Sequence, residues 1–189
     1  MHAQTVSIKW SSIASVLLVG GVMAFAAISD ARADLPADVQ AKVDQYKKKL
    51  VEWAATPAVV AAVKESNAKG GLVAGMANAK WDELAEGDPV VKGFQTTAVG
   101  KQLAKWEEDK NLDKLYLRDE KGNLVASSNK PLLYNNGNRP PFKNGLAGAW
   151  NDNVVKPDPT TQKKTVQMSV PVVDGGKNIG VLQTAVVAE

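Results

Sequence analysis

The chain contains no cysteine, and its only histidine is His2. Everything after His2 therefore lacks both thiol and imidazole. That excludes imidazole general bases, thiolate nucleophiles, cysteine–histidine zinc sites and attached c-type haem. It also excludes disulfides, so the fold must rest on its apolar core. A strong charge of either sign is missing too: 23 basic residues face 20 acidic ones, a net charge of +3. A balance this even is too weak for a general nucleic-acid binder. Lys47-Lys48-Lys49 reads as the solvated face of a helix. There is no internal repeat and no low-complexity linker.

The N-terminal stretch has the composition of an export signal. Lys9 gives a positive flank, Ser11 to Ile28 is largely small and apolar, and Ala31-Arg32-Ala33 offers a small-x-small cleavage site. We expect residues 1–33 to be a signal peptide removed near Ala33, which implies a periplasmic or secreted product. The competing reading is an uncleaved anchor, because the apolar run approaches the ~20 residues needed to span a bilayer. Residues 34–189 then suit one domain with a proper core, with no later segment fit to cross a membrane.

Residues 34–110 read as mainly helical. Val39, Val43, Tyr46, Leu50 and Trp53 share one face of an amphipathic helix over Asp38–Ala54. Thr56-Pro57 predicts a capped start to a second helix, Ala58–Lys69, which stops at Gly70-Gly71. An alanine-rich third helix is expected over Leu72–Leu84. A fourth starts at Gly87-Asp88-Pro89 and runs on through Phe94, Ala98, Leu103 and Trp106. Trp53, Trp81 and Trp106 sit at core spacing and read as packing. Glu107-Glu108-Asp109 lacks the spacing of a calcium loop and reads as a solvated helix end.

From 111 onward the period changes to two. Short strands Lys114–Arg118 and Asn123–Ser127 flank the turn Asp119-Glu120-Lys121-Gly122. Val166, Met168, Val170 and Val172 alternate with Thr165, Gln167, Ser169 and Pro171, which predicts a strand over Lys164–Val173 with one buried face. Asp174-Gly175-Gly176-Lys177 then turns into Asn178–Val187, apolar on both sides and so a central strand. Asn153–Lys156 is a further short strand before the turn at Pro157. Helices followed by hairpin-linked strands predict an α+β domain: an antiparallel sheet of about five strands with the long N-terminal helices packed on it.

Three segments carry a resemblance. Leu115–Ala126 has the form apolar strand, D-x-x-G, apolar strand. Asn138-Arg139-Pro140-Pro141-Phe142 is similar to a D-R-P-Y-F loop, with Asn138 and Pro141 in place of the usual Asp and Tyr. Ser169–Leu182 is similar to a strand pair with P-V, a glycine turn and I-G-V-L. In this order they resemble the Cache family of extracytoplasmic sensors, whose sheet is PAS-like. The resemblance implies a domain that binds a small ligand, such as a carboxylic or amino acid, and passes its state on without catalysis. It implies no cofactor and no metal.

Six residues are candidates for the ligand site. Arg139 leads, because a guanidinium fork can hold a carboxylate through two charge-assisted bonds, and arginine in the resembling loop faces the pocket. Tyr134 and Trp150 are candidate walls with a phenol and an indole N–H as donors. Asp152 and Asp174 are candidate acceptors for a ligand ammonium or hydroxyl, although Asp174 also suits the turn it opens. Tyr116 shares a strand face with Lys114 and Arg118. The rival to ligand binding is a protein-interaction module that docks on a membrane-bound signalling partner, or pairs with itself, through Asp38–Ala54. An enzyme is disfavoured: Ser127-Ser128-Asn129-Lys130 matches S-x-x-K by letters, but its companion motifs are absent and the segment leaves a strand.

Overall fold

The computed structural model describes residues 34–189. The signal-peptide reading of residues 1–33 lies outside the described residues. Five helices come first: α1 (Ala37–Ala54), α2 (Pro57–Lys69), α3 (Asn78–Glu83), α4 (Pro89–Thr96) and α5 (Ala98–Glu107). Then follow β1 (Leu112–Asp119), β2 (Leu124–Ser127), α6 (Pro140–Ala147), β3 (Trp150–Asn151), β4 (Lys156–Pro157), β5 (Lys164–Asp174) and β6 (Lys177–Val187). The strands form one six-stranded antiparallel sheet, ordered β2-β1-β6-β5-β3, with β4 also on β5. The fold is α+β with an antiparallel sheet, as the periodicities predict, and the sheet is PAS-like, as the resemblance implies. Its extra strand over the expected five comes from the two-residue pieces β3 and β4.

Strand β6 is central because both its faces are apolar or small. Leu182 and Val186 face α1 and α2 with Val166, Val170 and Val172 of β5 and Leu115 and Leu117 of β1. The alternate residues of the three strands, Tyr116, Arg118, Gln167, Ser169 and Gln183, share the other face through the pairs Tyr116↔Gln183, Ser169↔Gln183 and Gln167↔Ala185. The β5–β6 hairpin turns on Gly175 (φ +56°) and Gly176 (φ +80°), two left-handed positions that a two-residue turn requires.

Several helix boundaries differ from those the sequence predicts. Only Asn78–Glu83 of the expected Leu72–Leu84 helix is helical, because Gly71 (φ +115°) and Gly75 (φ +67°) turn the chain first. The expected fourth helix is two: Thr97 is extended (φ −58°, ψ 162°) and its Oγ1 accepts from Gly100 N at 2.9 Å, capping α5. Thr56 occupies the cap position of α2, but its hydroxyl donates backward to Trp53 O instead. The expected loop Tyr134–Phe142 ends in α6, since Pro140 at the first helical position suits a start and Phe142 and Gly145 bury one face. The short strand expected at Asn153–Lys156 falls instead at Lys156–Pro157, with Trp150–Asn151 as a separate piece.

The tryptophans pack as expected. Trp53 on α1 stacks on Trp106 on α5, with ring centroids 4.5 Å apart and 3° between planes. Trp81 is fully buried and donates its indole N–H to Pro131 O at 2.7 Å.

Candidate functional site

Opposite the helical face, the sheet floors a cavity of about 630 Å³. Lys114, Tyr116 and Arg118 of β1, Gln167 and Ser169 of β5, and Gln183 of β6 supply the floor. The segment from Pro131 to Pro159 supplies the walls, including Leu132, Asn136, Arg139, Trp150, Asp152 and Lys156. This size falls within the range of small-molecule sites.

The turn motif builds one wall. Asp119, 1% exposed, accepts from Lys121 N, Asn123 N and Asn123 Nδ2, and from Ser66 Oγ of α2 at 2.9 Å. Gly122 (φ +84°) lies so close under Gly137 that a Cβ there would strike its backbone. Asn135 Nδ2 reaches Lys121 O at 3.0 Å, and Asn136 N donates to Gly122 O at 3.1 Å. The first hairpin thus clamps residues 134–137, and this fixes Asn136 at the cavity edge.

Arg118 is the most buried basic group among the described residues, 2% exposed. Its Nε donates to Gln183 Oε1 (2.9 Å), Nη1 to Gly122 O (3.1 Å) and Tyr134 O (2.8 Å), and Nη2 to Leu133 O (3.1 Å). All four acceptors are neutral, and no carboxylate forms an ion pair with it among the described residues. Burial pushes its guanidinium down to about 10, an effect opposed by Tyr116, Asp119 and Tyr134, so it stays charged at neutral pH. Its Cζ lies 5.9 Å from the centre of the Tyr116 ring. The Tyr116 hydroxyl donates to Asn129 Oδ1 at 2.7 Å, and burial keeps the phenol protonated well above its ordinary value.

Two further cations line the cavity with carboxylate partners of their own. Lys114 Nζ pairs with Asp158 and contacts Thr160 Oγ1 at 3.3 Å. Asp158 is buried, which alone would raise it, but its bonds from Lys114 and from the Thr160 hydroxyl and N–H bring it down to about 2. Lys156 Nζ lies 2.5 Å from Asp152 Oδ2, and Asp152 Oδ1 accepts from Gln167 N at 3.2 Å.

Of the six candidate residues, the structure brings Tyr116, Arg139, Trp150 and Asp152 to this cavity. Arg139 is exposed at its rim, caps α6 through its carbonyl, and makes no side-chain cap bond. Pro140 and Pro141 bring no N–H to the start of α6, so donors on that rim come from the guanidinium. Tyr134 and Asp174 lie elsewhere. Tyr134 is 2% exposed and packs its ring 5.9 Å from Trp81 and 6.0 Å from Phe94. A run of apolar neighbours from α3 and α4 claims it, and only its carbonyl, held by Arg118, bears on the cavity. Asp174 sits in the β5–β6 turn and pairs with Lys64 of α2 at 2.7 Å.

Sequence reasoning passed over Arg118, Lys114, Gln167, Ser169, Gln183 and Asn136 as site residues. The signal was present for most of them: polar side chains recur at every second position of β1 and β5, between apolar positions, and Gln183 joins them from β6. On a buried strand such a stripe needs something polar opposite it.

Among the described residues no helix is long and apolar enough to cross a membrane, and no three or more His, Cys, Asp or Glu side chains gather where they could hold a metal.

No family model matches the chain, and no curated protein matches it significantly. Solved structures do. The sensor domain of the Vibrio cholerae histidine kinase DctB overlaps with a TM-score of 0.40 and 18% identity, over 79% of this chain and 57% of that one. The sensory domain of the Campylobacter jejuni chemoreceptor Tlp3 with isoleucine bound overlaps at 0.40 with 13% identity, over 81% of this chain and 64% of that one. The ligand-binding domain of the Pseudomonas aeruginosa amino acid chemoreceptor PctC, in complex with GABA, overlaps at 0.36 with 18% identity, over 80% and 59%. These neighbours are Cache-type sensor domains of histidine kinases and chemoreceptors. The chain spans about six tenths of their length.

Proposed function

We propose that residues 34–189 are an extracytoplasmic sensory domain that binds a small organic anion or amino acid in the sheet cavity and carries out no chemistry. The observation that supports this best is Arg118: a buried guanidinium on the floor of a 630 Å³ cavity, with neutral acceptors and no ion pair among the described residues. A buried cation with no directly paired carboxylate is costly; Asp119 acts on it only without an ion pair, and an anionic ligand would supply a direct counter-charge. Arg139 at the rim adds a second guanidinium. Occupancy would then bias the position of the Pro131–Pro159 wall, and a membrane-bound signalling partner would read that change.

Thermal unfolding of the purified protein against a panel of organic acids, amino acids, amines and purines tests this. A ligand at one hundred times its dissociation constant adds about 2.7 kcal/mol, or roughly 5–10 °C for a domain of this size. A flat panel on well-folded protein would overturn the ligand-binding reading. It would favour docking or self-pairing through α1, whose outer face carries Val51, 48% exposed.

A further inference from the structure

We infer that the cavity selects organic anions that carry no ammonium group, holding a mono- or dicarboxylate more tightly than the amino acid of the same skeleton. This rests on the reading of the cavity as a small-molecule site and narrows its ligand class.

An amino acid zwitterion needs two complementary places: donors for its carboxylate and acceptors for its ammonium. This cavity is rich in the first and poor in the second. Lys114, Arg118, Arg139 and Lys156 line it against a single lining carboxylate, Asp152. Asp152 is held by Lys156 Nζ at 2.5 Å and by Gln167 N at 3.2 Å. The other nearby carboxylate, Asp158, is buried behind Lys114 and bonded to it, to the Thr160 hydroxyl at 2.6 Å and to Thr160 N at 2.9 Å. Asp174, the remaining acceptor that the sequence suggests, belongs to the distant hairpin turn with Lys64.

Most neutral acceptors are engaged as well; Asn136 Oδ1, buried at the cavity edge without a hydrogen-bond partner, offers a neutral contact but no counter-charge. The Gln183 amide oxygen takes both Arg118 Nε and Asn136 Nδ2, each at 2.9 Å. The carbonyls of Leu133 and Tyr134 take Arg118, and Asn129 Oδ1 takes the Tyr116 hydroxyl. The Tyr116 ring already has the Arg118 guanidinium 5.9 Å from its centre, where a ligand cation would otherwise sit. Donors, in contrast, remain. Arg118 Nη2 uses one of its two hydrogens on Leu133 O, and Arg139 presents a whole fork with no ion pair among the described residues. An ammonium would enter a field of like charge in which Asp152 and Asp158 are already ion-paired, with the neutral Asn136 Oδ1 as its open acceptor; a second carboxylate would meet a second guanidinium.

The test is isothermal titration calorimetry of the full-length purified protein with matched pairs that differ only by the amine: succinate and aspartate, glutarate and glutamate, propionate and alanine, 4-methylpentanoate and leucine. At least one acid is expected to bind ten times or more tighter than its amino acid, and to weaken at least tenfold in Arg139→Ala. A second measurement uses Lys156→Ala, whose side chain is 45% exposed and so tolerates truncation. Removing Lys156 takes away one of the four lining cations and its ion pair with Asp152, so the acid-to-amino-acid ratio should fall severalfold. An amino acid that binds as tightly as its acid in the unaltered protein overturns the selectivity and leaves the cavity reading standing. No binding by either member of any pair, with the protein folded, overturns both.

Discussion

The two arginines of the cavity carry opposite burdens. Arg118 is tied to four acceptors and closes the wall over Leu133 and Tyr134, so it serves the fold and the site together. Arg118→Ala should destabilise the protein by about 2–3 kcal/mol, because Leu133 O loses its bond, Gly122 O, Tyr134 O and Gln183 Oε1 each keep one of two, and a buried side chain is removed. Denaturant unfolding reads this directly. Arg139 is exposed and uncapped. Arg139→Ala should move stability by less than about 0.5 kcal/mol while weakening a carboxylate ligand at least tenfold, as expected for a charge-assisted bond worth about 1.5–3 kcal/mol. If the two variants behave alike in both measurements, the division of labour is wrong. Arg139 was legible because its loop resembles a known ligand loop. Arg118 was passed over because an arginine on a short strand reads equally well as solvent-facing until the segment that covers it is placed.

Acid sensitivity also belongs to single residues. Asp109, despite a burial effect that opposes it, is brought down to about 2 by bonds from the Tyr46 hydroxyl (2.5 Å), Asn111 and Lys49. Asp158 sits at about 2 for the parallel reasons given above. Both folded values lie below the unfolded one near 4, so both groups stabilise the fold above pH ~4 and lose that contribution as the pH falls to about 2. The melting temperature should therefore drop between pH 4 and 2, and Asp109→Asn should flatten part of that drop while lowering stability at pH 7. A variant whose acid slope equals that of the unaltered protein would remove Asp109 from this account.

At the scale of elements, α6 is what sets the width of the cavity. It lies across β5 and β6, and at Gly145 the approach is so close that a Cβ would strike the Ser169 side chain and crowd Val181. Gly145→Val should lift α6 from the sheet, cost about 1–3 kcal/mol of overpacking, and displace Arg139 at the start of that helix. Ligand affinity should fall even though Gly145 touches no ligand; unchanged affinity with intact folding would show that α6 does not position the rim. Elements such as β5, β6 and α1 were legible because eleven to eighteen residues repeat one period. Helix α6 was not: eight residues with Pro-Pro at the start and Gly145 inside carry little periodic signal, and they declare themselves only against the sheet. The break at Thr97 escaped for a related reason, since the apolar stripe from Phe94 to Leu103 runs on across it. Only the hydroxyl cap and the tight approach of Gly100 to the Phe94 and Gln95 carbonyls reveal two helices.

Over the whole molecule, the sheet separates two regimes of stability. One face is closed by α1 and α2 over a continuous aliphatic core, and β6 in the middle is buried along most of its length. The other face is covered by a segment whose regular pieces are α6 and two strands of two residues each. Few ladder bonds and exposed positions such as Leu132 and Val154 make this wall the low-stability part. Amide hydrogen exchange should show β6 and the adjoining strands opening near the global limit, and the 131–159 segment opening far more readily. Saturating ligand should slow exchange through 131–159 and at the Arg118–Gln183 floor, because the ligand bridges the two. Helix α1 should respond weakly by direct contact, so any protection there would report a change passed through the packing of Tyr46 on Asp109 and Trp53 on Trp106. Protection confined to α1, with the 131–159 segment unchanged, would place the ligand on the outer helix and empty the cavity of its role.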